Sequence, residues 1–166
     1  MTTITQLVRG TEAIRDRADA ASSNVRLEQS RYAAGTKTLM ITASVTSESK
    51  SGSKYTNVIV FQGVEASQRQ RGKFVLPFDV SGQRWYIEKP KAGSHDVRVR
   101  CACVDYTQTW AFWNKESKAL FGSKYPPYNH KTNNANLERN KKHEAGLCKH
   151  LLAVVQQLRD TGVVRR

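Results

Sequence analysis

Asp96-Val97-Arg98-Val99-Arg100-Cys101-Ala102-Cys103 alternates without a break. A strand turns successive side chains to opposite faces, so Val97, Val99, Cys101 and Cys103 are expected on one side and Arg98 and Arg100 on the other. The apolar side belongs to a core, and it ends in two thiols. The third and last cysteine stands in Cys148-Lys149-His150, directly before Leu151, Leu152, Val155 and Leu158, which form one helical stripe that Thr161-Gly162 stops. Cys-x-Cys ending a strand and Cys-x-His opening a helix together offer three thiolates and an imidazole, the donors of a closed tetrahedral zinc site. The competing reading is three buried thiols and a histidine that caps the helix.

Residues two apart on a regular helix diverge by about 200°. Cys148 is therefore expected in the turn ahead of the helix, where the positive helix end favours a thiolate. For the fourth ligand, His150 is preferred to its neighbour His143, and His95 and His130 read as ordinary loop histidines. Asp105, just past the cysteines, reads either as an acceptor for the His150 ring N–H or for Arg100, or as a plain turn residue.

Working upstream, Leu39, Ile41, Ala43 and Val45 alternate with Thr38, Met40, Thr42 and Ser44, a strand with one buried face. Ser47 to Lys54 has no apolar side chain and turns the chain into Tyr55-Thr56-Asn57-Val58-Ile59-Val60-Phe61, a hairpin partner. Lys73 to Phe78 is a third strand, held to an edge or an end by Pro77, and Arg84 to Glu88 a fourth. These local, antiparallel pairings make a small sheet from Thr38 to Cys103. Residues 1–36 read as an N-terminal arm, with Ile14, Ala18 and Ala21 at helical spacing on a face too thin for a core, so the arm drapes over the domain or, by preference, reaches a neighbour.

Downstream of the thiols, Tyr106, Trp110 and Trp113 at i, i+4 and i+7, with Phe112 beside them, predict a helix covering the metal strand, read as core in preference to a base-stacking platform. Residues 121–146 form a long loop: Tyr125-Pro126-Pro127-Tyr128 and Asn133-Asn134-Ala135-Asn136 favour turns and extended chain. A metal held between the two half-motifs closes that loop at its base. The fold class expected is α+β: residues 37–166 form a zinc-binding domain with a small antiparallel sheet and a zinc-clamped C-terminal helical half, preceded by a helical arm.

The chain has 166 residues, a formal net charge of +13 and a sequence pI near 10.0, enough length for a core of its own and a surface that attracts polyanions. Arg98, Arg100, Lys141, Lys142 and Lys149 are the basic residues expected to meet phosphates or an acidic partner, unless the charge is simply a solvated surface. An odd cysteine count does not suit a secreted disulfide framework, and Met1-Thr2-Thr3-Ile4-Thr5 has no signal-peptide character. No run approaches the roughly 18 apolar residues of a membrane span, so no membrane is expected. A closed four-ligand site leaves no position for a catalytic water. The His-x-Glu with Pro-Cys-x-x-Cys pattern of zinc deaminases, a Ser-His-Asp elbow and a phosphate-cradling glycine loop are all missing from the sequence, so neither an enzyme nor a small-molecule substrate is expected.

Cys101-Ala102-Cys103 with Cys148-Lys149-His150 resembles the SWIM zinc finger, Cys-x-Cys followed by Cys-x-His, a resemblance that implies binding of DNA or protein partners. Val99 to Tyr106, Trp110, Tyr125-Pro126-Pro127-Tyr128, Lys131-Thr132-Asn133 and Gly146-Leu147-Cys148-Lys149-His150-Leu151 are similar to a group of tailed-bacteriophage virion proteins of the tail and baseplate assembly, a likeness over residues 97–155. It implies a non-enzymatic structural component that binds zinc, is made in the bacterial host cytoplasm, resides in the virion and has other virion proteins as partners. The alternative is a SWIM-type nucleic-acid binder; on the assembly reading, nucleic-acid binding is weak and non-specific.

Overall fold

The computed structural model describes residues 1–15, 24–46, 52–80, 82–122 and 140–165. Its main element is a four-stranded antiparallel sheet in the order β1-β2-β3-β7: Val25–Ala33, Thr38–Thr46, Lys54–Gln62 and Asp96–Cys101. The hairpin β2-β3 pairs Leu39 with Phe61, Ile41 with Ile59 and Val45 with Tyr55, and β3 pairs Ile59 with Val99 and Asn57 with Cys101. Register is fixed by alternation, since a one-residue slip would turn every one of these side chains from core to solvent. A second antiparallel sheet follows the order β4-β6-β5, with β4 at Ala66–Ser67, β5 at Phe74–Val80 and β6 at Gln83–Glu88.

Three helices complete the described chain. Helix α1 spans Ile4–Ile14, α2 spans Ala111–Glu116 after a π-helical turn at Tyr106–Trp110, and α3 spans Lys149–Asp160. α3 lies on the apolar face of the main sheet, and its Leu151, Leu152, Val154, Val155 and Leu158 join Leu39, Ile41, Phe61, Val97 and Val99 in one core. The expected α+β architecture is present, with the antiparallel sheet, an N-terminal helix and the Cys/His cluster at the start of the C-terminal helix. No helix among the described residues is long and apolar enough to cross a membrane.

Several expectations change. The sheet does not begin at Thr38: Val25–Ala33, inside the stretch read as an arm, is its edge strand β1. Its side chains are nearly all exposed and its pairing shifts register between Leu27 and Gln29, so an apolar alternation never appears in the sequence. Strands β5 and β6 leave the main sheet and pair with each other and β4.

The N-terminal helix also lies earlier than Ile14, Ala18 and Ala21 suggested, and residues 16–23 are outside the described ones. Thr3 opens it with a capping box: Thr3 Oγ1 accepts from Gln6 N at 3.2 Å and Gln6 Oε1 from Thr3 N at 2.8 Å. Such a box contributes about 1 kcal/mol, and Thr3-Ile4-Thr5-Gln6 is a legible signal for it. Ile4 and Leu7 are fully buried in the common core, each worth roughly 2 kcal/mol, so α1 takes the draping placement and not the outward one. Of the loop expected at 121–146, residues 123–139 lie outside the described ones. Its beginning is tied down, because Val99 N donates to Ala119 O at 2.7 Å and Phe121 N to Val99 O at 3.0 Å, a short parallel pairing along β7.

Candidate metal centre

Cys101 is the last residue of β7, and Ala102 N still pairs with Thr56 O at 3.0 Å before the chain turns. In the turn, Cys103 N donates to Cys101 Sγ at 3.4 Å and Tyr106 N to Cys103 Sγ at 3.2 Å. Two backbone N–H groups thus point at sulfur, an arrangement that favours thiolates. From the other side Cys148 is the N-cap of α3, with extended backbone (φ −75°, ψ 166°), and its carbonyl accepts from Leu152 N at 3.0 Å. That extended conformation brings Cys148 and His150 to the same point although they are two residues apart. Cys101, Cys103, Cys148 and His150 each offer one ligand atom, and the four atoms lie within 4.8 Å of one another, all on buried residues.

Nδ1 is the His150 nitrogen on the thiol side, 3.9 Å from Cys101 Sγ. Tyr55 packs against the ring, with centroids 4.6 Å apart and the two planes tilted by 34°. Nε2 is buried and has no hydrogen-bond partner among the described residues, and neither has Oδ1 of Asn57, which sits opposite Cys101 on β3. Hydrogen bonds from Cys101 and Cys148 hold the Cys103 thiol well below its ordinary range. Donating to Cys103 pushes Cys101 up, and burial pushes Cys148 up. Thiols packed this closely and this deeply hinder one another's ionisation, and a cation at the centre is what allows all three to ionise. Soft, buried, convergent sulfur donors with one imidazole therefore fit a thiophilic metal ion.

Asp105 takes no part in this. Its carboxylate pairs with Arg15 at 2.5 Å and accepts from Thr109 Oγ1 at 3.2 Å, so it joins α1 to the π-helical turn and orients neither His150 nor Arg100. Arg15 also lies over the Trp110 ring, 5.4 Å from its centroid. His143 is in a left-handed conformation (φ 58°) and stacks on Trp113 with ring centroids 4.3 Å apart, outside the cluster. His95 is a loop residue whose Nδ1 accepts from Lys91 N at 2.9 Å and whose Nε2 lies 3.6 Å from Glu88 Oε1. His130 is outside the described residues. Tyr106 and Trp110 are core, as expected, whereas Trp113 is half-buried and Phe112 exposed.

The clasp has supports that sequence reading missed. Asn114, fully buried on α2, exchanges two hydrogen bonds with the backbone of Gly146, two residues before Cys148. Leu147 N donates to Thr11 Oγ1 at 2.7 Å, and Asn140 Nδ2 donates to Thr109 O at 3.2 Å and Glu144 O at 2.8 Å. Gly10 and Gly146 permit close approach: a Cβ at Gly10 would stand 1.9 Å from Ala145 O, and one at Gly146 2.4 Å from Trp110 Cζ3. Polar residues in an apolar helical stretch, such as Asn114 after Phe112-Trp113, were the available signal.

The five basic residues singled out from sequence are not brought to one face. Arg98 and Arg100 lie on the sheet face turned away from α3, Lys141 and Lys142 are exposed in the turn that packs on α1 and α2, and Lys149 is half-buried in the first turn of α3. No family model matches the chain, and neither a curated protein nor a solved structure does.

Proposed function

We propose that the chain is a non-enzymatic structural protein in which Cys101, Cys103, Cys148 and His150 hold a zinc ion. The observation that carries this reading is the convergence of four buried donors, three of them thiols, within 4.8 Å. Four protein donors fill a tetrahedral shell, so the ion acts as a clasp and not as a Lewis acid. It joins the end of β7 to the start of α3 and closes residues 104–147 into a ring, which adds folding free energy. The metal supplies charge compensation for the thiolates; β7, the N–H donors of Cys103 and Tyr106, and the packed Tyr55 ring position the ligands.

The setting we propose is the tail or baseplate of a tailed-phage virion, where this clasped domain contacts other virion proteins. That part rests only on the resemblance read from the motifs within residues 97–155. Two measurements test the reading. Native mass spectrometry with elemental analysis of the purified chain is expected to show one zinc per chain, lost in Cys148→Ser and His150→Ala; a metal-free wild type would overturn the clasp. Peptide counting in density-purified particles is expected to find the chain at a fixed ratio to the other tail proteins, and its absence there would overturn the virion setting.

A further inference from the structure

The main sheet has two faces, and α3 and the core use only one. Register places Arg26 opposite Ser44, Arg31 opposite Met40, Lys54 opposite Thr46, Arg98 opposite Val60 and Arg100 opposite Val58, so all five cations belong to the other face. Arg26, Arg31, Lys54 and Arg98 are exposed and Arg100 half-buried. Among the described residues, the acids nearby are Asp96, at one corner, and Glu28, in the β1 bulge. Asp96 is already engaged: its Oδ1 accepts from Thr2 N at 2.5 Å, and the Gln62 amide, with its O and N exchanged to the orientation its neighbours call for, donates to Asp96 Oδ2 at 3.0 Å and accepts from Arg98 Nε at 3.2 Å. Arg26 and Arg31 have no ion pair among the described residues.

Four of the five basic side chains occupy the two margins of the face, Arg26 and Arg31 on β1 and Arg98 and Arg100 on β7, about 14 Å apart across three strand spacings, and Lys54 stands at the start of the inner strand β3. Between them the floor is lined with short hydroxyls, Thr42, Ser44, Thr46 and Thr56, all at least partly exposed. The apolar side chains in the floor, Met40, Val58 and Val60, are half-buried or buried, and no residue of the four strands places an aromatic ring on this side. A protein partner would be anchored by exposed aromatic side chains at a desolvated centre, and the described residues of the four strands place none there. Guanidinium and ammonium groups with hydroxyl donors between them are the chemistry that contacts phosphate oxygens and sugars.

From this we infer that the outer face of the β1-β2-β3-β7 sheet binds the sugar–phosphate backbone of a nucleic acid, independently of base sequence. With no ring to stack on, a single strand gains nothing over a duplex. The inference is independent of the Cys/His cluster, which lies on the opposite side of the sheet, and it uses Arg26, Arg31 and Lys54, which the Cys-x-Cys motif does not involve.

The test is fluorescence anisotropy of the full chain with a labelled mixed-sequence duplex and the matching single strand, titrated from about 50 to about 200 mM salt. Wild type is expected to bind the duplex at least as tightly as the strand and to weaken steeply with salt. Arg26→Gln/Arg31→Gln is expected to weaken binding roughly ten-fold and to lower the salt slope by about 2, one per lost phosphate contact. Lys141→Gln/Lys142→Gln removes the same charge from another surface and is expected to change affinity by no more than about two-fold. Unaltered thermal unfolding certifies each variant, and Arg31→Gln/Lys54→Gln replaces the first pair if that pair does not fold. Absence of duplex binding, equal losses in the two double variants, a strong single-strand preference, or tighter binding of an acidic polypeptide than of the duplex would each overturn the inference.

Discussion

Asn114 and Gly146 are joined by two hydrogen bonds, Asn114 Nδ2 donating to the Gly146 carbonyl at 2.9 Å and Gly146 N donating to Asn114 Oδ1 at 2.9 Å. The side-chain amide behaves as a strand edge would, pairing with both polar groups of one peptide unit. It fixes the chain entering Cys148 against α2, and Asn114 Nδ2 also donates to the Tyr106 hydroxyl at 3.1 Å. A residue of the candidate metal centre is thus held through its backbone by a side chain that lies outside the Cys/His cluster.

Asn114→Ala removes both bonds and leaves a buried N–H and a buried carbonyl unpaired. The expected loss is about 3 kcal/mol, since an orphaned buried polar group costs about 1–3 kcal/mol. Chemical denaturation of the purified variant measures it, and a loss within experimental error of zero would mean that solvent reaches Gly146.

Gly146→Ala is expected to destabilise by roughly 2 kcal/mol, because the added carbon would stand 2.4 Å from Trp110 Cζ3 and 2.9 Å from Thr11 Oγ1 and neither side of the contact is free to move. Gly35→Ala makes the matching control, as nothing lies within 4 Å of its Cβ position. Melting temperatures of the two variants should separate clearly, with only the first depressed.

His143→Ala is expected to keep its zinc while His150→Ala loses it, because only His150 lies with the three thiols and His143 is stacked on Trp113. Chelation of wild type should lower its stability by several kcal/mol, zinc-binding free energies of structural sites running to about 10 kcal/mol or more. Retention of metal by His150→Ala would assign the fourth ligand elsewhere.

Stability is expected to fall with rising pH above about 10, and Tyr106 is part of the reason. Burial pushes its phenol well above the ordinary value of 10.0, and its hydroxyl donates to Val99 O at 2.7 Å. Above pH 10 the unfolded chain loses this proton and the folded chain keeps it, so the folded state binds more protons and stability declines as pH rises. One such phenol contributes a slope of up to about 1.4 kcal/mol per pH unit. Tyr106→Phe should be less stable at neutral pH by about 1 kcal/mol but lose stability more slowly above pH 10, as followed by denaturation at stepped pH. An unchanged alkaline slope would count against a buried, neutral Tyr106.

What the sequence determined by itself was whatever local periodicity can encode. Thr38 to Val45 alternates and forms β2; Val97 to Cys101 alternates and delivers a thiol to the core; Leu151 to Leu158 keeps a helical stripe and forms α3. The four cluster residues were also legible, because their types and tight spacing carry chemistry regardless of what surrounds them. Tertiary structure decided the rest. Strand β1 has almost no buried side chains to announce it and exists because β2 offers it an edge. Asp105 could be read toward His150 or a turn until α1 brought Arg15 to it from 90 positions away. Arg26 and Arg31 join Arg98 and Arg100 on one face only through the register of four strands. Periodicity reports which way a side chain points within its own element; which partner it meets depends on long-range packing, and a single stretch of sequence does not contain that.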